Sequence, residues 1–443
     1  MAIHPVALLV VVVAAAALVL LPRNKILPPF FWVAVFLPLA QGFEVVGLNI
    51  TFARFLIFTA FFRFLARQEL RLNRWNSIDT MFCLWCGIGA VAYVLLWGTF
   101  DAFINAMGSA VNYAGTYFLV RLCLNRMANV TSLIKHMRLV VIVLAVFIAW
   151  EWWTGRNAFA LFGGVPAVTE IRDGHLRCQG PFGHPISAGL FAASLVPIFI
   201  GSVVGRTRTA LSLVSLMAAI GIVALTASSA PMLALAGGVV SWCFWPQRRR
   251  MRMVSWGVVA LLAGLHMVMK APVWALIARV SIFDSSSSWH RLNLFDQFVQ
   301  RFDEWWLVGT RSTEHWGFYA QDVANNYVRI GVSGGLFTLL VYLLVLRREF
   351  TSLGAAIRRS STFQEETLLW SLGAALMAHV VGSFGLSYWD QSTVLFALLL
   401  GLISGTSTVI VSRRSSEQPE AQHPRIPEAN FAPSRWRVRR ESS

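Results

Sequence analysis

Residues 185–204 have the sequence PISAGLFAASLVPIFIGSVV, an apolar run without a single charged side chain. About 20 such residues form a helix long enough to cross the hydrocarbon core of a bilayer. The rest of the chain has the same character, because 56% of its 443 residues are hydrophobic and only 13% are charged. A soluble protein carries about 25% charged residues. The composition therefore excludes an ordinary soluble enzyme, a disordered protein and a disulfide scaffold, and it predicts a polytopic membrane protein.

Apolar runs of this kind recur along the chain and predict an all-α transmembrane helix bundle with about 12–13 spans. Clusters of Arg and Lys follow the odd-numbered spans, whereas short links after the even-numbered spans carry none. Because Lys and Arg are retained on the cytoplasmic side, this alternation predicts a periplasmic N-terminus and a cytoplasmic C-terminus. The predicted spans are 5–22, 29–48, 50–66, 78–98, 102–124, 138–154, 185–204, 209–227, 230–246, 254–270, 323–346, 367–385 and 390–411.

The predicted spans leave two long outer loops that combine charged residues, histidine and tryptophan. Loops of that length in a compact membrane protein are usually functional. The resulting regions are N-terminal transmembrane helices at 1–154, a first periplasmic loop at 155–184, central transmembrane helices at 185–270, a large periplasmic catalytic loop at 271–322, C-terminal transmembrane helices at 323–411, and a disordered cytoplasmic tail at 412–443.

Charge and motif content narrow the possible functions. The net charge is +16, but most basic residues lie between apolar runs, which indicates membrane topology rather than nucleic-acid binding. The sequence has no Walker loop, no HExxH and no metal-spaced pair of CxxC motifs. ATP hydrolysis and metal catalysis therefore have no support, and neither a metal nor a cofactor is expected.

The second outer loop is predicted to contain an amphipathic helix. Between Trp289 and Trp306, apolar side chains recur at intervals of three and four residues, as in a helix on the outer membrane surface. Arg291 falls near the apolar stripe, where its guanidinium would need an anionic partner. A lipid phosphate and snorkelling to ordinary headgroups both satisfy that need.

The outer loops carry a set of arginines that could bind phosphate. Arginine presents a rigid fork of donors that holds phosphate oxygens in pairs. Two or three such forks would stabilise a diphosphate leaving group without a metal. Simple solvation of exposed loop arginines is the alternative. The set comprises Arg172, Arg177, Arg291, Arg301 and Arg311.

Other polar and aromatic residues gather where the second loop meets the next helix. Asp322 and His315 are candidate general bases, although an aspartate at a helix start is equally explained as a cap. Trp316 could stack on a sugar or belong to the aromatic belt at the membrane interface. Within the apolar runs, a few ionisable residues lie near predicted helix ends, where snorkelling explains most of them. They are Arg54, Arg121, Glu151 and His379.

Three short blocks occur in order in these loops. The first is RxxGxFxxP at 177–185, the second is SxxR at 288–291 with WLVG at 306–309, and the third is NxY at 325–327 with a later glycine at Gly335. In order and spacing they resemble the O-antigen ligase and O-antigen polymerase superfamily of bacterial envelope glycan transferases. The resemblance covers roughly residues 30–410 and includes the late position of the largest loop.

The resemblance implies a metal-independent enzyme at the periplasmic face of the bacterial inner membrane. Its donor would be a glycan on undecaprenyl diphosphate, and its acceptor would be a hydroxyl on lipid A-core or on another lipid-linked glycan. Other polysaccharide-assembly proteins would be its partners in the bilayer. The residues expected to bind substrate are Arg177, Arg291, Arg311, Tyr327 and Trp316, and those expected to take part in catalysis are Asp322, His315 and Asn325.

The chain departs from the family pattern in ways that bear on its function. The family's histidine position is Ala324 here, so Asp322 or His315 would assist the acceptor, unless base assistance is weak. These departures favour an exopolysaccharide polymerase or a divergent ligase over the lipopolysaccharide ligase proper. The alternative function is a non-enzymatic one, a lipid-linked oligosaccharide flippase or a polysaccharide transporter.

Overall fold

The structure is a computed structural model that describes residues 3–45, 48–72, 74–205, 209–269, 285–317, 319–389 and 391–416. The protein is mostly helical, at 76%. The α-helices are α1 Pro5–Leu20, α2 Leu27–Phe36, α3 Phe52–Ala66, α4 Ser77–Trp97, α5 Phe100–Ala110, α6 Thr116–Cys123, α7 Met127–Thr154, α8 Pro185–Val204, α9 Ala210–Leu225, α10 Ser229–Cys243, α11 Met251–Val268, α12 Ser285–Gln300, α13 Phe302–Trp305, α14 Asn326–Arg359, α15 Phe363–Gly382 and α16 Gln391–Ser416.

Six helices in the described part of the chain are long and apolar enough to cross a membrane, namely α4, α7, α8, α11, α14 and α16. The apolar helices α1, α9 and α10 are shorter. Together they indicate the multi-pass membrane protein that the composition predicts. The most buried of the long helices are α8 and α16, and the least buried is α11. The predicted disordered tail at 412–443 begins too early, because residues 412–416 still belong to α16. Residues 417–443 of that tail and residues 271–284 of the second loop lie outside the described residues.

The predicted span at 29–48 is not a single helix. The helix α2 has only 10 residues, which is about half the length needed to cross a bilayer. It ends at Phe36, and the backbone of the following Leu37 is extended because the next residue is Pro38. The chain then forms an antiparallel hairpin of β1 Gly42–Val45 and β2 Leu48–Thr51, in which Gly42 pairs with Thr51.

Two other helices depart from regular geometry. The predicted span at 102–124 is a helical run whose middle, Val111–Gly115, is a π turn. Arg54 does not snorkel, since its Nε donates to Asn112 Oδ1 of this turn at 3.1 Å. In α14, Gly335 has a φ of 76° and interrupts the helix. The amide of Leu336 donates across this kink to the carbonyl of Trp306, which anchors the second loop on α14.

The amphipathic helix of the second loop was expected to lie on the membrane surface, but it packs on the helix bundle. Its side chains Leu294 and Phe298 are buried, as is Trp305 in the short helix that follows. The rings of Phe298 and Trp305 stack at 3.9 Å between centroids. Both rings pass close to Gly331 of α14, where any larger side chain would collide with them. The glycine therefore admits the apolar face of α12 against the bundle.

The basic clusters and the two outer loops lie at opposite ends of the helices. At the first turn of α15, Glu365 and Glu366 pair with Arg413 and Arg248. The opposite end of α15 leads into a turn at 383–389, which contacts the start of α14 through the carbonyl of Ser383. Since cytoplasmic ends are rich in Lys and Arg, the 383–389 turn lies at the end where the sequence predicts the periplasm.

Candidate functional site

Buried polar contacts hold the end of the first loop, residues 177–184, in one conformation. The Glu151 carboxylate is 1% exposed, and it accepts from the amides of Gln179 and Gly180 at 3.1 and 2.8 Å. It also accepts from the hydroxyl of Thr169. Glu151 thus fixes this loop through three hydrogen bonds to a buried carboxyl group, and the expectation that it snorkels to the interface is wrong.

Arg177 emerges from β4 His175–Arg177, the second strand of a hairpin with β3 Glu170–Arg172. Its side chain is 4% exposed. One terminal nitrogen donates to the carboxylate of Glu170 at 3.0 and 3.1 Å, and the other donates to Ser228 Oγ at 3.1 Å. Its buried Nε has no hydrogen-bond partner within the described residues. The guanidinium is therefore held in place while its Nε–H remains unused.

Arg291 approaches the same helix start from the second loop. Its side chain is 8% exposed. A Cβ placed on Gly385 would lie 3.3 Å from Arg291 Cζ and 2.6 Å from the side chain of Ala230. Gly385 thus lets the guanidinium approach the first turn of α10, which contains Ala230. We call Arg177, Ser228, Arg291 and Gly385 the arginine cluster.

The start of α14 lies beside this cluster. The fully buried Asn325 caps the helix, and its side-chain oxygen accepts from the amides of Tyr327 and Val328. Asp322, the expected cap, lies three residues earlier and is exposed. The next residue, Asn326, donates its amide to the carbonyl of Ser383 at 2.8 Å. Asn325 Nδ2 is buried and has no partner among the residues that the structure describes.

The remaining predicted residues fall into two groups. Tyr327 is buried, and its hydroxyl donates to the carbonyl of Val380, so it holds α14 against α15. Arg311 is exposed and donates to the carbonyl of Leu96 at the end of α4, with Trp97 near its guanidinium. The structure therefore brings Arg177 and Arg291 to the start of α10. Asn325 caps α14, whose first residue bonds to the turn that contains Gly385, whereas Arg311 contacts α4.

His315 and Trp316 share one carboxylate in the second loop. Glu304 Oε2 contacts His315 Nε2 at 2.7 Å and accepts from Trp316 Nε1 at 2.8 Å. Arg301 donates to the other oxygen at 2.9 Å. Desolvation opposes ionisation of Glu304, but the hydrogen bonds from Trp316, His315 and Arg301 outweigh it and lower the pKa of this carboxyl. The Trp316 ring is 3% exposed, so it presents no open face for stacking.

A histidine that the sequence interpretation passed over lies next to Arg291. His290 is half-buried on α12, and its Nε2 lies 3.0 Å from the backbone carbonyl of Asp322. This contact joins α12 to the segment just before α14. The position of His290 directly before Arg291 is the one sequence feature that could have drawn attention to this histidine. The local pattern does not indicate where either side chain points.

Other polar networks were also missed because their partners are distant in sequence. Arg121 forms a bidentate pair with the fully buried Asp79, at 2.7 and 2.8 Å. His379 is buried, and its Nδ1 forms a hydrogen bond with the hydroxyl of Tyr388 at 2.8 Å in the 383–389 turn. Snorkelling to the membrane interface was expected for Arg121 and His379, but both side chains are buried and bonded within the helix bundle.

No family model matches the chain, and no curated protein matches it. In the part of the chain that the structure describes, no group of three His, Cys, Asp or Glu side chains could hold a metal ion.

Proposed function

We propose that the protein is a membrane glycan transferase that moves a saccharide from undecaprenyl diphosphate to an acceptor hydroxyl at the periplasmic face. The observation that carries the proposal is the arginine cluster. Two buried guanidinium groups, from loops that are far apart in the sequence, reach the first turn of α10. Two or more fixed forks are what a metal-independent site needs to stabilise a departing diphosphate.

The electrostatics of the cluster suit an anion. The amides in the first turn of α10 add partial positive charge at the point where both arginines arrive. The Glu170 side chain that pairs with Arg177 is 47% exposed, so a phosphate group can displace it without leaving a buried carboxylate behind. The unused donors Arg177 Nε and Asn325 Nδ2 would then find acceptor oxygens on the substrate.

The position of the cluster supports an extracytoplasmic reaction. It lies at the end of the helices opposite Arg248 and Arg413, which the positive-inside rule assigns to the cytoplasm. A donor with a lipid tail would enter from the bilayer and present its diphosphate at that surface. The order of the sequence blocks supports an O-antigen ligase-like or polymerase-like reaction, with a lipid A-core or a lipid-linked glycan as acceptor.

The proposal is tested with purified protein in lipid nanodiscs and a lipid-linked oligosaccharide, without ATP and in the presence of a metal chelator. We expect glycan transfer and release of undecaprenyl diphosphate. Arg177→Lys and Arg291→Lys each replace a fork by a point charge. Because hydrogen bonds to charged groups contribute about 1.5–3 kcal/mol, each variant should lose about tenfold to a hundredfold in turnover.

Arg311→Lys is the matched control, since this arginine bonds to the end of α4 and does not belong to the arginine cluster. It should retain wild-type turnover. Unchanged transfer by both Arg177→Lys and Arg291→Lys would refute the assignment of the arginine cluster. Movement of intact lipid across vesicles, without release of diphosphate, would instead support the flippase or transporter.

A further inference from the structure

We propose that His290 is the general base that accepts the proton of the attacking acceptor hydroxyl. The inference rests on the proposed function and adds a catalytic residue to the same site. It starts from a juxtaposition that is visible only in three dimensions: consecutive residues of α12 contact the two segments that border the arginine cluster. His290 contacts the carbonyl of Asp322, and Arg291 lies against Gly385.

A hydrogen bond joins these two segments. The amide of Asn326, just after the Asp322 segment, donates to the carbonyl of Ser383 at the start of the 383–389 turn. An imidazole and a guanidinium on adjacent residues of α12 therefore contact two segments that this hydrogen bond joins.

The contact with Asp322 also determines which nitrogen can act as the base. A backbone carbonyl only accepts hydrogen bonds, so His290 Nε2 must carry the hydrogen in the 3.0 Å contact. In the neutral ring the lone pair then belongs to Nδ1. Fixing the tautomer and the ring orientation through the other nitrogen is the usual way in which proteins prepare a catalytic imidazole.

The two bases expected from the sequence are less suited to this role. His315 Nε2 contacts Glu304, which also binds Trp316 and Arg301, so this imidazole belongs to a separate cluster within the second loop. Asp322 has an exposed side chain, and its contribution to the site is its backbone carbonyl. His290 instead combines partial burial, a fixed tautomer and direct adjacency to Arg291.

The step that we assign to His290 is balanced. The acceptor oxygen forms a bond to the anomeric carbon of the donor sugar while its proton passes to His290 Nδ1. The bond between that carbon and the diphosphate oxygen breaks, and its electron pair leaves with the diphosphate, which Arg177 and Arg291 stabilise. The proton on Nδ1 then passes to water, and the imidazole returns to its neutral form.

The test compares the full-length wild type with His290→Gln, His290→Ala and His315→Gln in the nanodisc transfer assay. The glutamine amide in His290→Gln can still donate to the Asp322 carbonyl but cannot accept a proton, so this variant separates catalysis from structure. Loss of a general base lowers turnover about 10²–10⁴-fold. We expect this loss in His290→Gln with an unchanged KM for the lipid-linked donor, wild-type turnover in His315→Gln, and partial rescue of His290→Ala by added imidazole.

Wild-type turnover in His290→Gln would overturn the assignment, and so would failure of imidazole to rescue a folded His290→Ala protein. A thermal unfolding curve of each variant verifies folding. The outcome is distinguishable from failure of the proposed function, because a wild-type protein without any transfer activity overturns both, whereas active wild-type and active His290→Gln proteins overturn only the role of His290.

Discussion

Removing the negative charge of Glu151 should release the loop that carries Arg177. The carboxylate accepts three hydrogen bonds, two of them from the backbone amides of Gln179 and Gly180. In Glu151→Gln, one oxygen becomes an NH₂ group that faces an N–H donor, and the remaining bonds lose their ionic character. Losing one charge-assisted bond and weakening two others costs about 3 kcal/mol of local stability.

Hydrogen exchange followed by mass spectrometry measures this loss directly. A decrease of about 3 kcal/mol in local opening free energy accelerates exchange of the 178–184 amides about a hundredfold. Glycan transfer should fall by a similar factor, because small displacements of positioning groups have effects of about 10². Glu44→Gln makes the same chemical change at an exposed strand position and is the control. Wild-type exchange rates in Glu151→Gln would refute the proposed role of the carboxylate.

Three further substitutions test other parts of the fold. Asp79→Asn leaves the buried Arg121 without its carboxylate, so the free energy of unfolding should fall by about 3–5 kcal/mol and the melting temperature should fall with it. An unchanged melting temperature would contradict the pairing of Asp79 with Arg121. Gly335→Ala forces a Cβ onto the carbonyl of Leu307 at positive φ, which should cost about 1–3 kcal/mol in the same assay. The folded protein lowers the pKa of Glu304, so ionised Glu304 stabilises the fold at pH values above its unfolded pKa of about 4.3. This stabilisation is lost as the pH falls through the lower pKa of the folded state, and the difference in stability between wild type and Glu304→Gln should disappear there. A difference that stays constant with pH would contradict the role of Glu304.

Many of the helices were predictable because the free energy of transferring a segment into an apolar environment depends on the residues of that segment alone. An apolar run such as 185–204 forms a helix wherever it lies, and α8 covers these same residues. The prediction failed where backbone chemistry intervened, as at Pro38, which ends α2 before it can span a bilayer. It also placed the apolar face of α12 on the membrane surface, since periodicity shows that a face is apolar but not which surface covers it.

The candidate site was predictable only in part. Arg177 and Arg291 were chosen for the chemistry of their side chains, and the structure brings both to the start of α10. The same chemistry favours Arg311, yet its guanidinium bonds to the end of α4. His290 was missed because its importance depends on a contact with Asp322, 32 residues away.

The sequence by itself determined that this chain is a helical membrane protein whose polar chemistry is concentrated in two loops, because composition and hydropathy sum over neighbouring residues. Only the tertiary structure decided which buried charges find partners, such as Arg121 with Asp79, and which loop arginines meet. These pairings depend on distances between segments remote in sequence. A side chain's burial and orientation follow from how the helices pack, and no local pattern contains that information.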